Sequence, residues 1–190
     1  MAQFSDVFAS LAQVNGWMPH DQAQRLWNRA GELHPGATVV EIGSFQGRSM
    51  CVLASSAPAG VTLVAIDPHG GNDRGPQEIE GFAEEAETDH QLFLRNLENA
   101  GVRERVTYIR KFANDALGDV PQDIELLYVD GAHRFQPASQ DIRQWGAKVK
   151  DGGRLLVHDS FSSIGVTLAL VVLTFWSSQW TYEGRSQSMA

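Results

Sequence analysis

A chain of 190 residues with 43% hydrophobic and 20% charged residues can bury the core of one domain, and this composition excludes disordered, collagen-like and membrane classes. Its formal charge of −8, with Lys and Arg scattered, argues against nucleic acid as a partner and for a small or neutral ligand. The single cysteine, Cys51, falls among apolar residues of a predicted helix and reads as a buried, inert thiol in a cytoplasmic protein.

No basic flank followed by an apolar stretch opens the chain, so no signal peptide is read. Two amphipathic stretches, residues 4–13 and 21–33, flank a turn at Asn15-Gly16-Trp17-Met18-Pro19. They predict N-terminal helices over residues 1–34 that lie as a lid on a core of residues 35–190. A β-branched run at 37–42, a loop with glycines at 43 and 47 and a helix at 48–55 follow. Strands are then expected at 61–66, 105–109, 124–129 and 154–157, with helices at 86–100 and 139–149. This alternation predicts an α/β, doubly wound, mostly parallel sheet with both faces covered.

Three segments fall outside that alternation. Residues 68–85 are rich in Gly and acids and read as a mobile flap that closes over substrate. The apolar run 164–176 is short for a bilayer and contains Gly165 and Thr167, so it reads as a buried helix or strand and not as a membrane anchor. Residues 180–183 read as a last strand.

Ligands of open parallel sheets bind beyond the carboxyl ends of the strands. Four acids fall there: Glu41, Asp67, Asp130 and Asp159. The Gly43-Ser44-Phe45-Gln46-Gly47 loop turns tightly before a helix N-terminus. It lacks the G-x-G-x-x-G pattern, because Phe45 stands where a second glycine would let a pyrophosphate approach. Asp67 lies 24 residues after Gly43, the spacing of a carboxylate that accepts from ribose hydroxyls. An adenosine without a pyrophosphate satisfies both observations.

The segments Val40-Glu41-Ile42-Gly43-Ser44-Phe45-Gln46-Gly47-Arg48-Ser49, Ala65-Ile66-Asp67-Pro68, Val129-Asp130-Gly131-Ala132-His133 and Val157-His158-Asp159-Ser160 resemble the successive motifs of small class I O-methyltransferases. Within these the chain is most similar to the metal-dependent sugar methyltransferases of macrolide biosynthesis. The resemblance implies the class I methyltransferase fold and S-adenosylmethionine as cofactor. It places the methionine moiety among Glu41, Gly43 and Gly47, the ribose on Asp67 and the adenine near Phe112 and Ala113, with Ser44, Phe45, Ser49 and Asp130 also at the cofactor. It further implies a divalent cation on Asp130, His158 and Asp159. Magnesium suits the oxygen ligands, and manganese or zinc suits the histidine that replaces the family's glutamate.

His133, in a glycine-bearing loop past a strand end, matches the proposed general base. The reaction expected is in-line methyl transfer to a hydroxyl of a sugar, an oligosaccharide or another small diol, with the ion lowering the hydroxyl's pKa and His133 taking its proton. His69, in the Pro68-His69-Gly70-Gly71 loop, and then His20 and His34 rank behind His133 as candidates for catalysis, while Trp17, Met18 and Trp145 read as core or lid packing and receive no chemistry. Two rivals are an oxidoreductase with an unusual Rossmann loop and a noncatalytic adenosine-binding module. The acceptor stays open, as does a homo-oligomeric state.

Overall fold

The computed structural model describes residues 2–70, 82–131, 133–175 and 177–190. Strands β1 (Thr38–Ile42), β2 (Thr62–Ile66), β3 (Val106–Ile109), β4 (Ile124–Val129) and β5 (Val149–Val157) form one sheet among the described residues. Its order is β3-β2-β1-β4-β5 and every pairing is parallel. All five residues of central β1 are buried, as expected of an apolar, β-branched strand covered on both faces.

Helices α1 (Phe4–Ser10), α2 (His20–Gly31), α3 (Arg48–Ser56) and α4 (Phe82–Asn99) belong to one side. There Leu26, Met50, Leu53, Phe93 and Leu97 share a core with Val39, Leu63 and Leu126. Helices α5 (Phe135–Gly146) and α6 (Ile164–Leu170), with a 3-10 turn at Ala113–Ala116, cover the other face around Ile142, Trp145, Val40 and Leu127. Each fully buried side chain of this size contributes about 1.5–3 kcal/mol. Strand order reverses between β1 and β4, and loops leaving their carboxyl ends must part there, which opens a cleft.

The structure departs from the sequence expectations at several boundaries. Helix α5 begins at Phe135, four residues early, because Pro137 falls in the first turn, where no intrahelical N–H is needed. Strand β5 begins at Val149, and the expected Asp151-Gly152-Gly153 turn becomes a register shift inside it, with Gly152 at φ 77°. Residues 180–183 are not a strand; they meet no strand partner, and the polypeptide here is tied down by Arg25 Nη2 donating to the Gly184 carbonyl at 2.8 Å. The only backbone pairing of this kind at β5's free edge joins Val157 to Ala190, among the described residues.

The apolar run is helical over residues 164–175, but it is not buried throughout: Ile164, Leu168 and Val172 are exposed. No described helix is long and apolar enough to cross a membrane. Most of the expected flap, 71–81, lies outside the described residues. Cys51 is buried as expected, and burial pushes its thiol up to about 12.

Candidate active site

A cavity of about 370 Å³ opens at the carboxyl ends of β1, β2 and β4. Its floor is the loop between β1 and α3. Gly43 takes φ 83°, and a Cβ there would stand 2.4 Å from the Asp130 carbonyl oxygen, so only glycine lets the β1 and β4 loops cross this closely. Gly47, also at φ 83°, precedes α3 and would press a Cβ to 3.0 Å from Phe93.

Asp67 staples this loop to the end of β2. Its Oδ2 accepts from the backbone N–H groups of Ser44 at 2.8 Å and Phe45 at 2.9 Å, and its Oδ1 accepts from that of His69 at 2.7 Å. A carboxylate offers about four acceptor positions, so Oδ1 keeps one for a ligand hydroxyl. His69, at φ 43° and 5% exposed, extends the staple. Its Nε2 meets the Phe45 carbonyl at 2.7 Å, and its Nδ1 meets the Tyr108 hydroxyl, which donates to the Asp67 carbonyl at 2.9 Å.

Glu41 is not the rim acid that its place near a strand end suggests. It lies inside β1, fully buried, and its Oε1 accepts from Ser49 Oγ at 2.5 Å. Burial pushes the carboxyl up to about 7, against the Ser44 and Ser49 hydroxyls and with the Asp67 charge adding to it.

A polar chain runs along the β4 and β5 ends. The Tyr128 hydroxyl lies 3.2 Å from Asp130 Oδ2 and 3.1 Å from His158 Nδ1. His158 Nε2 lies 3.4 Å from Asp159 Oδ1, and Asp159 Oδ2 lies 2.9 Å from His133 Nε2. The His133 imidazole holds the Asp159 carboxyl well below the usual carboxylate range, although burial opposes it.

This arrangement does not match the metal set that the resemblance implies. The ligands of one ion must converge on a point about 2.0–2.3 Å from each of them. Here the His158 ring turns opposite nitrogens toward the two carboxylates, with Nδ1 3.9 Å from Asp130 Oδ2. The three side chains form a relay and not a chelate, and among the described residues no group of three His, Cys, Asp or Glu side chains is placed to hold a metal ion. Strand β5 ends at Val157 and Asp159 adopts φ 53°, which lets the consecutive residues His158 and Asp159 join one chain instead of facing opposite sides of a strand.

Of the residues singled out in the sequence, Gly43, Ser44, Phe45, Ser49 and Asp67 line the cavity. So do Phe112, Ala113, Asp130 and His133, while Glu41, Gly47, His158 and Asp159 are not part of the lining. Sequence reasoning missed Asn114 and Asp141, which also line it, ranked His69 only as a minor catalytic candidate, and gave no role to Trp17, whose ring centroid lies 5.7 Å from that of Phe45.

Comparison with known proteins gives a concordant result. A family profile described as a methyltransferase domain matches residues 40–160. The uncharacterized protein R132 of Acanthamoeba polyphaga mimivirus is 27% identical over 127 residues, 64% of this chain and 51% of that protein. The chain thus spans about half the length of this curated relative. Among solved structures, cofactor-bound Rv0187 from MTB superposes with a TM-score of 0.61 at 19% identity, covering 90% of this chain and 74% of that one. The O-methyltransferase from Bacillus cereus in complex with SAH gives 0.59 at 16% identity, covering 92% and 70%. These likenesses show a shared class I methyltransferase fold.

Proposed function

The chain belongs to the methyltransferase-domain family, and we propose that it transfers a methyl group from S-adenosylmethionine to a hydroxyl of a small acceptor. The observation that carries this reading is one cavity lined by both Asp67, after the glycine loop, and His133, paired with Asp159. An adenosyl group held at Asp67 and the loop brings its sulfonium toward the β1 and β4 ends. Solved structures of the same fold that carry SAH or another cofactor support S-adenosylmethionine as the cofactor.

In the proposed step the acceptor oxygen attacks the methyl carbon in line. The C–O bond forms, the C–S bond breaks, and the sulfonium leaves as the neutral thioether. Asp159, held ionised, lies 2.9 Å from His133 Nε2 and orients the imidazole at the cavity wall. The imidazole takes the hydroxyl proton, and Asp159 stabilises the imidazolium that results. Positioning of the two reactants supplies most of the remaining acceleration. No step is routed through a metal, because Asp130, His158 and Asp159 do not converge. A sugar or diol acceptor rests on the motif resemblance alone. The family assignment disfavours the oxidoreductase reading.

The test is transfer of labelled methyl from S-adenosylmethionine to a panel of sugars, catechols and simple alcohols. His133→Gln is expected to lower turnover by roughly 10²- to 10⁴-fold while calorimetry finds its affinity for S-adenosylhomocysteine unchanged. Chelator-treated enzyme is expected to keep its rate; a lost rate restored by magnesium or manganese would reinstate the metal. If the wild-type protein does not bind S-adenosylhomocysteine, the whole reading fails.

A further inference from the structure

Asp141 takes no part in the chemistry above, yet it lines the same cavity from the second turn of α5, four residues after Pro137. It is 7% exposed. Neither of its oxygens has a hydrogen bond or ion pair with any described residue. Its Oδ2 lies against Gly131, 3.5 Å from where a Cβ on that residue would be. Desolvation alone pushes the carboxyl up to about 7. A buried acceptor left unmatched in the protein is costly, and a ligand donor reaching it would remove that cost.

The surrounding wall indicates what kind of donor fits. Helix α5 packs against the 3-10 turn that follows β3, so Pro137 and Asp141 share this part of the cavity with Phe112, Ala113 and Asn114. Apolar surfaces accompanied by one carboxyl and one carboxamide suit a flat heterocycle with an amine on its edge. The glycine loop and Ser49 belong to the α3 side of the sheet, whereas α5 covers the opposite face. A cofactor with its amino-acid end at Ser49 and its ribose at Asp67 therefore has its base free to enter the α5 side.

Resting on the reading of this cavity as an S-adenosylmethionine site, we propose that Asp141 accepts a hydrogen bond from the exocyclic amine of adenine and so selects the base of the cofactor. Asn114 faces the same part of the cavity and can serve the ring nitrogens. Hypoxanthine, with an oxygen in place of the amine, offers Asp141 no donor there.

Calorimetry at pH 8 with S-adenosylhomocysteine and its deaminated counterpart, S-inosylhomocysteine, tests this on wild type, Asp141→Asn and Asp141→Leu, each checked for folding by thermal melting. Wild type is expected to prefer the adenosyl form by roughly 10- to 100-fold. Asp141→Asn, whose amide can donate to the 6-oxo group, narrows the preference mainly by gaining affinity for the inosyl form. Asp141→Leu loses affinity for the adenosyl form. Unchanged discrimination in folded variants overturns the proposal. So does a change confined to the KM of the acceptor, which would assign Asp141 to the other substrate. Failure of wild type to bind either form would instead overturn the underlying cofactor reading.

Discussion

Asp67 carries two duties that a single substitution removes together. It receives three backbone N–H groups, and in the proposed complex it also accepts from the ribose. Asp67→Ala is therefore expected to lower affinity for S-adenosylhomocysteine by roughly 100-fold or more, beyond the loss of one charge-assisted hydrogen bond. Asp67→Asn keeps an oxygen that can face Ser44 and Phe45, so its loss is smaller. Unaltered binding to a folded alanine variant in calorimetry would remove the ribose from this position. The place of Asp67 was legible because strand-end acids and loop glycines have a spacing dictated by the fold. The environment of Glu41 was not, since an acid near a strand end looks solvent-facing until Ser49 of α3 is seen to cover it. Asp141 was equally hidden: one acid among Gln, Ser and Arg in a helix reads as a solvated face, and only tertiary packing turns it inward.

At the scale of elements, the β1 to α3 loop, the residues after β2 and the end of β3 act as one unit through His69 and Tyr108. The Tyr108 hydroxyl serves both the Asp67 carbonyl and His69 Nδ1. Tyr108→Phe leaves the ring packed on Phe93, 4.8 Å between centroids, but removes that hydroxyl. The expected loss is about 1–3 kcal/mol, read as a Tm lower by about 2–12 °C, with weaker S-adenosylhomocysteine binding. A Tm and an affinity both equal to wild type would show that the loop does not depend on this brace. Such bracing is invisible in a linear pattern, because His69 and Tyr108 are 39 residues apart. Strand existence was legible throughout, since buried parallel strands are apolar runs. Boundaries failed where a glycine pair could be either a turn or a bulge, and where a proline could sit in the first turn of α5 rather than before it.

At the scale of the whole molecule, burial of two unmatched or partly matched acids sets the pH dependence of stability. Glu41 and Asp141 are both pushed up to about 7, above the roughly 4 of the unfolded chain. Between those values the folded protein holds protons that the unfolded chain releases, so their contribution is complete below about pH 4 and is lost as pH rises through 7. Asp159 works the other way. Held low by His133, it contributes fully above the ordinary carboxylate value and loses that contribution only in stronger acid. Together these groups place the greatest stability of the ligand-free protein in mild acid, with each raised acid adding a slope of at most about 1.4 kcal/mol per pH unit. Thermal melts are expected to show Tm falling from pH 5 to pH 8, and Glu41→Gln or Asp141→Asn should each flatten that fall, because a neutral amide has no proton to lose. S-adenosylhomocysteine should raise Tm at pH 8 as well, since a bound amine gives the ionised Asp141 a donor that the free protein lacks. A Tm that rises steadily from pH 5 to pH 8 in the free wild-type protein would mean that these two carboxyls are hydrated in solution and do not govern its stability.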